Sequence, residues 1–251
     1  MRSFLILLFS FSFIIASAQT ADAQTGKPNF ISLNGGFNYP TGDYKDVKLV
    51  DTLPAATATQ GYYGSVEFGV YFTKHLGLGF NLGGFYNPID KEKFENQIAE
   101  DLKNDAINNA DGTASADVNT SEWINVYAMA GPYLTFNIID KIHLDFKVMA
   151  GAMSTNEPMM KINVDHHGTV KLTENKEADV IGLAFNYGMH VRIKLLSKLG
   201  LRLNAEGFSS QQQLERAVKH GTWDNTSTKK SHYKQHVTAF NLGVGLVLTF
   251  D

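Results

Sequence analysis

Apolar and polar residues alternate with a period of two along eight stretches of this chain. Such alternation is typical of a β-strand with one apolar face and one polar face. In residues 142–156, for example, Phe146 lies on the apolar face and Asp145 on the polar face. The eight predicted strands are residues 29–39, 61–73, 76–86, 122–136, 142–156, 180–195, 200–210 and 236–250.

The connections between these strands alternate in length. The short ones are residues 74–75, 137–141 and 196–199, and the long ones are residues 40–60, 87–121, 157–179 and 211–235. In an up-and-down arrangement, alternate connections lie at opposite ends, so all the short turns fall at one end. Barrels of the outer membrane have short periplasmic turns and long outer loops. The pattern therefore predicts an all-β fold, an eight-stranded antiparallel up-and-down transmembrane β-barrel with four long outer loops and three short periplasmic turns.

The alternative fold is a soluble eight-stranded barrel whose apolar faces point inward. Two features favour the membrane barrel. The polar faces are rich in glycine and charge, which suits a crowded interior better than a solvated surface. The last predicted strand also carries its apolar face up to Phe250, one residue before the end of the sequence.

The first residues are typical of a secretory signal peptide. Arg2 gives a positive start, residues 4–15 form a mostly apolar run, and small-x-small motifs end at Ala18 and Ala23. The run is shorter than the about 20 apolar residues of a spanning helix, although an N-terminal anchor helix is the alternative. We expect a signal peptide within residues 1–23, cleaved after Ala18 or Ala23, and a single barrel domain over residues 24–251.

Composition narrows the possible functions. The chain has 251 residues and no cysteine, which excludes disulfides, thiolate metal sites and an N-terminal lipidated cysteine. A net charge of −3 gives no general electrostatic reason to bind nucleic acid. The mean hydropathy of −0.16 resembles that of a soluble protein. It averages an apolar outer face with a polar lumen and hydrophilic loops, so it hides the membrane-facing band.

Two segments carry a family resemblance. Residues 34–44, NGGFNYPTGDY, resemble the first strand and loop of the outer-membrane protein β-barrel domain family of Gram-negative bacteria, a family of small eight-stranded barrels that includes PorT-like and OmpX-like proteins. Residues 246–250, LVLTF, resemble the terminal aromatic signature read by the barrel assembly machinery, with Phe250 as the aromatic and Asp251 as an extra residue. The resemblance implies the fold and an outer-membrane location, and it brings no catalytic residues. PorT-like relatives serve protein secretion.

Charged residues on the polar faces are expected to meet inside the barrel. An eight-stranded barrel has an interior just wide enough for side chains, and a desolvated charge there needs a partner. We expect Asp145, Arg192 and Arg202 to cluster near the periplasmic end, with the other three charges above them. The favoured interpretation is a structural network that fills the lumen, and the alternative is a proton or ion path. The six predicted luminal charges are Glu67, Asp145, Lys147, Arg192, Arg202 and Glu206, and His143 and His190 are expected to face the lumen beside them.

The long loops offer weaker signals. Asn87 and Pro88 could start a helix whose apolar face carries Phe94, Ile98 and Leu102, as a lid over the barrel or as a docking helix. Asp165, His166 and His167 do not form a metal site on spacing alone, and we predict no metal and no cofactor. Aromatic girdles are expected, with Phe72, Phe136 and Phe250 at the short-turn end and Tyr39, Tyr86 and Trp123 at the long-loop end.

These observations predict a small non-enzymatic outer-membrane barrel. It would act through its extracellular loops or as a structural or partner subunit of the envelope. One alternative is a component of a secretion or assembly machine. Another is a lipid-modifying enzyme, for which Ser209, Ser210 and His220 are the available residues. Expected partners are outer-membrane lipid and lipopolysaccharide, the barrel assembly machinery during insertion and other envelope proteins, and no nucleic acid.

Overall fold

Eight strands close into an all-antiparallel barrel. The computed structural model describes residues 29–50, 53–93, 95–96, 115–166, 169–175, 178–222 and 225–250. The predicted signal peptide and Asp251 lie outside them. All strands are numbered in chain order. Eight of them form the barrel: β1 (Asn29–Thr41), β4 (Gly61–Tyr71), β5 (Leu76–Asn87), β7 (Trp123–Ile139), β8 (Ile142–Glu157), β11 (Ala178–Lys194), β12 (Leu199–Thr222) and β13 (Asn225–Phe250). The other strands lie in the outer connections: β2 (Val47–Val50), β3 (Leu53–Ala56), β6 (Ser115–Thr120), β9 (Met160–His166) and β10 (Thr169–Asn175).

The barrel closes by pairing its first and last strands. Around the wall the order is β1, β4, β5, β7, β8, β11, β12 and β13, and β13 pairs with β1 over the full length of β1, from Asn29 opposite Phe250 to Thr41 opposite Thr238. Closure leaves no strand edge in the wall, which the bilayer interior requires. The predicted strand order and fold are confirmed.

Strand register puts the apolar faces outside. Along β4 the odd-numbered residues are buried and the even-numbered ones point away from the lumen. The same alternation places Phe146 and Val148 of β8 outside and Asp145 and Lys147 inside. The core of this protein is therefore the lumen, and its surface is the apolar face.

The outer connections contain more β-structure than the sequence predicts. The predicted strand 200–210 continues to Thr222 in β12, and the predicted strand 236–250 begins at Asn225 in β13. Residues 40–60 hold a 3-10 turn (Gly42–Tyr44) and the hairpin of β2 and β3, while β9 and β10 pair within residues 157–179. Because the apolar alternation fades above the membrane, it marks only the part of each strand that faces lipid.

The predicted helix after β5 is described only at its start. Residues 91–93 and 95–96 are helical, whereas Phe94, Ile98 and Leu102 lie outside the described residues. The prediction that Asn87 caps the helix is wrong, because Asn87 ends β5 and points into the barrel. The cap is Asp90, whose Oδ1 accepts from the Lys93 amide at 3.0 Å. Among the described residues, no helix is long and apolar enough to span a bilayer.

Candidate functional site

The outer wall carries a belt of large, exposed apolar side chains, an arrangement that would be unfavourable in water. Leu183, Val148 and Val244 are 62%, 61% and 57% exposed on three different strands. Meanwhile Glu67, Arg202 and many amides are fully buried in the lumen. This arrangement inverts that of a soluble barrel and matches a wall that faces lipid. The protein is an outer-membrane β-barrel, with its three short turns at the periplasmic end.

A network of buried ion pairs fills the middle of the lumen. Lys147 Nζ on β8 lies 2.6 Å from Glu67 Oε2 on β4 and 2.9 Å from Glu206 Oε1 on β12. Arg202 on β12 lies 2.5 Å from Glu67 Oε1. His190 Nε2 on β11 lies 3.0 Å from Glu206 Oε1 and its Nδ1 contacts Arg202. These five residues are called the central network below.

A second pair lies next to the central network, nearer the periplasmic end. Arg192 on β11 contacts Asp145 on β8 twice, Nε to Oδ2 at 2.5 Å and Nη2 to Oδ1 at 2.9 Å. Thr135 on β7 donates to the same carboxylate at 2.7 Å and also contacts the hydroxyl of Tyr71. A two-contact pair between guanidinium and carboxylate is geometrically specific, so it orients both side chains.

Aromatic rings join the two groups. Phe30 on β1 lies between two guanidinium groups, with 4.7 Å from its centroid to the Arg192 Cζ and 4.9 Å to the Arg202 Cζ. The hydroxyl of Tyr133 accepts from Arg202 at 2.8 Å. Cation–π contacts of this kind strengthen when water is excluded. The alternation in β1 and β7 turns Phe30 and Tyr133 inward, but sequence reasoning focused on charges and missed both rings.

All six predicted luminal charges lie inside the barrel, and the structure divides them differently from the expectation. Arg202 is expected to cluster with Asp145 and Arg192, but its direct carboxylate partner is Glu67. The reason is the height of each residue, since the register pairs Asp145 with His190 and leaves Arg202 opposite Arg192. The guanidinium of Arg202 instead contacts Ser32 on β1 and Glu67 on β4.

The two luminal histidines differ in role. His190 is fully buried and belongs to the central network. His143 lies near the periplasmic rim, where its Nδ1 is 2.6 Å from the Asn137 Oδ1. Among the described residues, no group of three His, Asp or Glu side chains is placed to hold a metal ion. Asp165 and His166 belong to β9, and His167 lies outside the described residues.

The first outer connection inserts a side chain into the extracellular mouth. Tyr44, in the 3-10 turn, is fully buried and packs edge-on against Trp123 with 5.5 Å between ring centroids. Its hydroxyl accepts from Asn125 at 2.9 Å and donates to Asn87 at 3.2 Å. Burial raises the pKa of the Tyr44 hydroxyl above its ordinary range, so the group stays neutral. Sequence reasoning did not single out Tyr44 as a plug.

Of the six residues expected in aromatic girdles, four are exposed, Tyr39 is half-buried and Trp123 is buried. Phe72, Phe136 and Phe250 are exposed at the short-turn end, and Tyr86 is exposed at the other end. Trp123 does not belong to a girdle, because it is fully buried beneath Tyr44. The alternation that turns Ile124 outward necessarily turns Trp123 inward.

Of the residues considered for an enzyme, the structure describes the side chains of the two serines, which lie on opposite faces of β12. The Ser210 Oγ donates to the Leu183 carbonyl at 2.8 Å, within the lumen side of β12. Ser209 pairs with Phe185 along the wall, and the side chain of His220 lies outside the described side chains.

Comparison with known proteins finds structural likeness only. No protein-family model matches the chain, and no curated protein matches it. A major outer membrane protein of Thermus thermophilus has a TM-score of 0.47 at 12% identity, over 88% of this chain and 99% of that chain. The attachment invasion locus protein Ail of Yersinia pestis gives 0.42 at 12% identity, over 88% and 99%. The outer membrane protein OprG of Pseudomonas aeruginosa gives 0.42 at 13%, over 90% and 99%. No activity is transferred from them to this chain, whose fold follows from its own closed sheet and apolar belt.

Proposed function

We propose that this protein is a non-enzymatic outer-membrane barrel that works at its extracellular end. In this proposal the barrel is an anchor with a closed lumen, and the outer β-structure binds a partner at the cell surface or in the envelope.

The observation that carries the proposal is the length of the last hairpin. β12 and β13 have 24 and 26 residues, whereas crossing a bilayer takes about 9–11. β1 leaves β13 at Thr238, yet β12 and β13 stay paired up to Thr222 opposite Asn225. At about 3.3 Å per residue, the part beyond Thr238 is about 40 Å of extended strand.

Further strands widen this extension into a sheet. β10 pairs with β12 between Leu172 opposite Gly221 and Asn175 opposite Val218. β9 pairs with β10, and β6 pairs with β9. Ordered strands outside a membrane are not needed to hold the barrel together. They give the chain a shaped surface, which supports an interaction role.

The filled lumen supports the same proposal. The central network, the Asp145–Arg192 pair and the rings of Phe30, Tyr71 and Tyr133 occupy the interior of a narrow barrel. Tyr44 and Trp123 lie over the network at the outer mouth. A barrel filled in this way supports anchoring better than general diffusion.

The test is to shorten the hairpin and compare partners. Residues 215–232 are replaced by an Asn-Gly turn, which favours a two-residue hairpin connection. The matched control replaces residues 47–56, the β2–β3 hairpin, in the same way. Both variants are purified from native membranes after their heat-dependent shift on gels shows a folded barrel, and the co-purifying proteins are identified by mass spectrometry.

We expect a partner that the full chain and the control retain and the shortened β12–β13 variant loses. A stable partner retained equally by all three would contradict the proposal and favour a machine component held through the barrel wall. Altered lipid A or phospholipid in a deletion strain, restored by the shortened variant, would instead favour the enzyme.

A further inference from the structure

Two neighbouring turns at the periplasmic end form one surface. The turn between β7 and β8 and the turn between β11 and β12 are adjacent because β8 pairs with β11, with Ile142 opposite Ile193. A backbone hydrogen bond from Lys194 to the Lys141 carbonyl, 2.8 Å long, joins them. The two turns therefore hold a fixed relation to each other at the lower edge of the wall.

This surface exposes apolar side chains in consecutive pairs. Ile138 and Ile139 are 60% and 58% exposed, and Leu195 and Leu196 are 58% and 64% exposed. A regular strand would turn one residue of each pair inward, but the β7–β8 register shifts between Asn137 and Ile139. Leu195 and Leu196 lie beyond the end of β11 at Lys194, where strand alternation no longer applies, and all four side chains add to the exposed apolar surface at this end.

The same surface is positively charged. Lys141, Lys194 and Lys198 are exposed, and these three residues are called the lysine rim. Asp140 is the one acidic residue within the two turns. Among the described residues, no lysine of the rim forms an ion pair, because all the ion pairs between described residues join luminal side chains.

The combination of apolar pairs and a lysine rim fits one kind of occupant. The apolar pairs continue the lipid-facing belt without a break, so the adjoining lysines lie at the level of the headgroups of the periplasmic leaflet. Lysine stems bury their methylene groups against apolar surface while the ammonium reaches polar groups. An ammonium near an anionic lipid surface gains about fivefold in binding (about 1 kcal/mol).

We propose that the lysine rim binds the headgroup of an anionic phospholipid in the periplasmic leaflet, with Ile138, Ile139, Leu195 and Leu196 packing on its acyl chains. The site is independent of the extracellular sheet. It gives the barrel a preference for anionic lipid at one side of its wall.

The outer end of the barrel supplies a matched control. Lys45, Lys91 and Lys93 are exposed there, beside the acids Asp46, Asp90 and Glu92. They carry the same total charge as the lysine rim but lie at the opposite end of the barrel, away from the four apolar side chains.

The test measures bound lipid directly. The full chain is folded into vesicles containing equal amounts of phosphatidylglycerol and phosphatidylethanolamine, extracted in mild detergent, and examined by native mass spectrometry. The variants are K141Q/K194Q/K198Q, its charge-preserving counterpart K141R/K194R/K198R, and the control K45Q/K91Q/K93Q. Each is checked for folding by its heat-dependent shift on gels.

We expect the wild type, the arginine variant and the outer control to retain phosphatidylglycerol over phosphatidylethanolamine by about fivefold or more. The rim glutamine variant should lose that preference, and high salt should weaken it in the wild type. Equal retention of the two lipids by the wild type would overturn the proposal. So would an equal loss in the rim and outer variants, because that result would indicate a general charge effect. Failure of this site leaves the hairpin experiment unaffected.

Discussion

Lys147 on β8 reaches across the lumen to Glu67 on β4, with 2.6 Å between Nζ and Oε2. The two strands are separated in the wall by β5 and β7. The contact is therefore a brace across the barrel. Because Glu67 also holds Arg202, one carboxylate ties together strands on both sides of the lumen.

Removing that carboxylate should destabilise the barrel strongly. Glu67→Gln leaves Arg202 without its direct carboxylate partner and weakens the hold on Lys147. We expect the free energy of unfolding to fall by about 3–5 kcal/mol, as when one partner of a buried ion pair is removed. The measurement is urea unfolding of the protein folded in phospholipid vesicles.

The control for this change is Glu92→Gln, at an exposed site outside the barrel. Its effect should stay within about 0.5 kcal/mol. A double variant, Glu67→Gln with Arg202→Met, should recover part of the loss because it removes the unpaired charge. Unfolding midpoints that agree between Glu67→Gln and Glu92→Gln would contradict a stabilising central network.

The lipid-facing belt predicts a cost that depends on depth. Val148 lies beside Lys147 in sequence but points outward, at the height of the central network, and is 61% exposed. Val148→Arg should lower the free energy of unfolding by about 2–4 kcal/mol, as for a charge facing lipid near the midplane. Ile138→Arg, at the periplasmic rim, should cost about 0–1 kcal/mol. If both variants lost the same free energy of unfolding in vesicles, Val148 would not face the middle of the bilayer.

Two glycines on opposite sides of the wall predict opposite outcomes. A Cβ on Gly79 would point into the lumen and meet the Tyr133 ring and the Met149 Cε, the latter at 2.7 Å. A Cβ on Gly64 would point outward, with its nearest atom, the Asn34 carbonyl oxygen, 3.9 Å away. We expect Gly79→Ala to destabilise the barrel by about 1–3 kcal/mol through overpacking, and Gly64→Ala to be close to neutral. A Gly79→Ala variant as stable as Gly64→Ala in urea unfolding would argue against a filled lumen.

The plug at the extracellular mouth should loosen without its hydroxyl. Tyr44→Phe removes the hydrogen bonds to Asn87 and Asn125 and leaves their amide groups buried, at a cost of about 1–3 kcal/mol. The Ala58 amide donates to the Tyr44 carbonyl at 3.1 Å, so its hydrogen exchange should become faster. Tyr62→Phe, on the exposed lipid-facing side, should leave that amide unchanged. Unchanged exchange in Tyr44→Phe would show that the plug does not depend on these bonds.

The sequence predicts the barrel wall well, because lipid and lumen impose opposite polarity on successive residues. The alternation from Ile142 to Asn156 therefore locates β8 and its inward charges. Which charges form ion pairs inside the lumen depends on the position of each residue along the barrel axis and on the length of its side chain. Arg202 turns to Glu67 because Arg192 already holds Asp145, and no spacing along the chain reveals that choice.

The structure above the membrane is harder to predict from the sequence than the barrel wall. Residues 211–235 lose the apolar alternation, yet strand pairing carries β12 and β13 through them. A strand that has left the bilayer no longer needs one apolar face, so it need not carry the pattern that marks a half-buried strand. Tyr44 is hidden from sequence reasoning for another reason, since a single aromatic in a loop gives no periodic signal of its burial.

A closed outer-membrane barrel that anchors an extracellular surface should not conduct, and planar-bilayer recording tests this closed lumen most directly. The full chain is inserted after its heat-dependent shift on gels confirms folding, and current is recorded over a range of voltages. We expect no large, stable conductance steps, because the central network, the Asp145–Arg192 pair and Tyr44 fill the lumen from the periplasmic side to the outer mouth. Large and stable steps from the folded wild-type protein would contradict it.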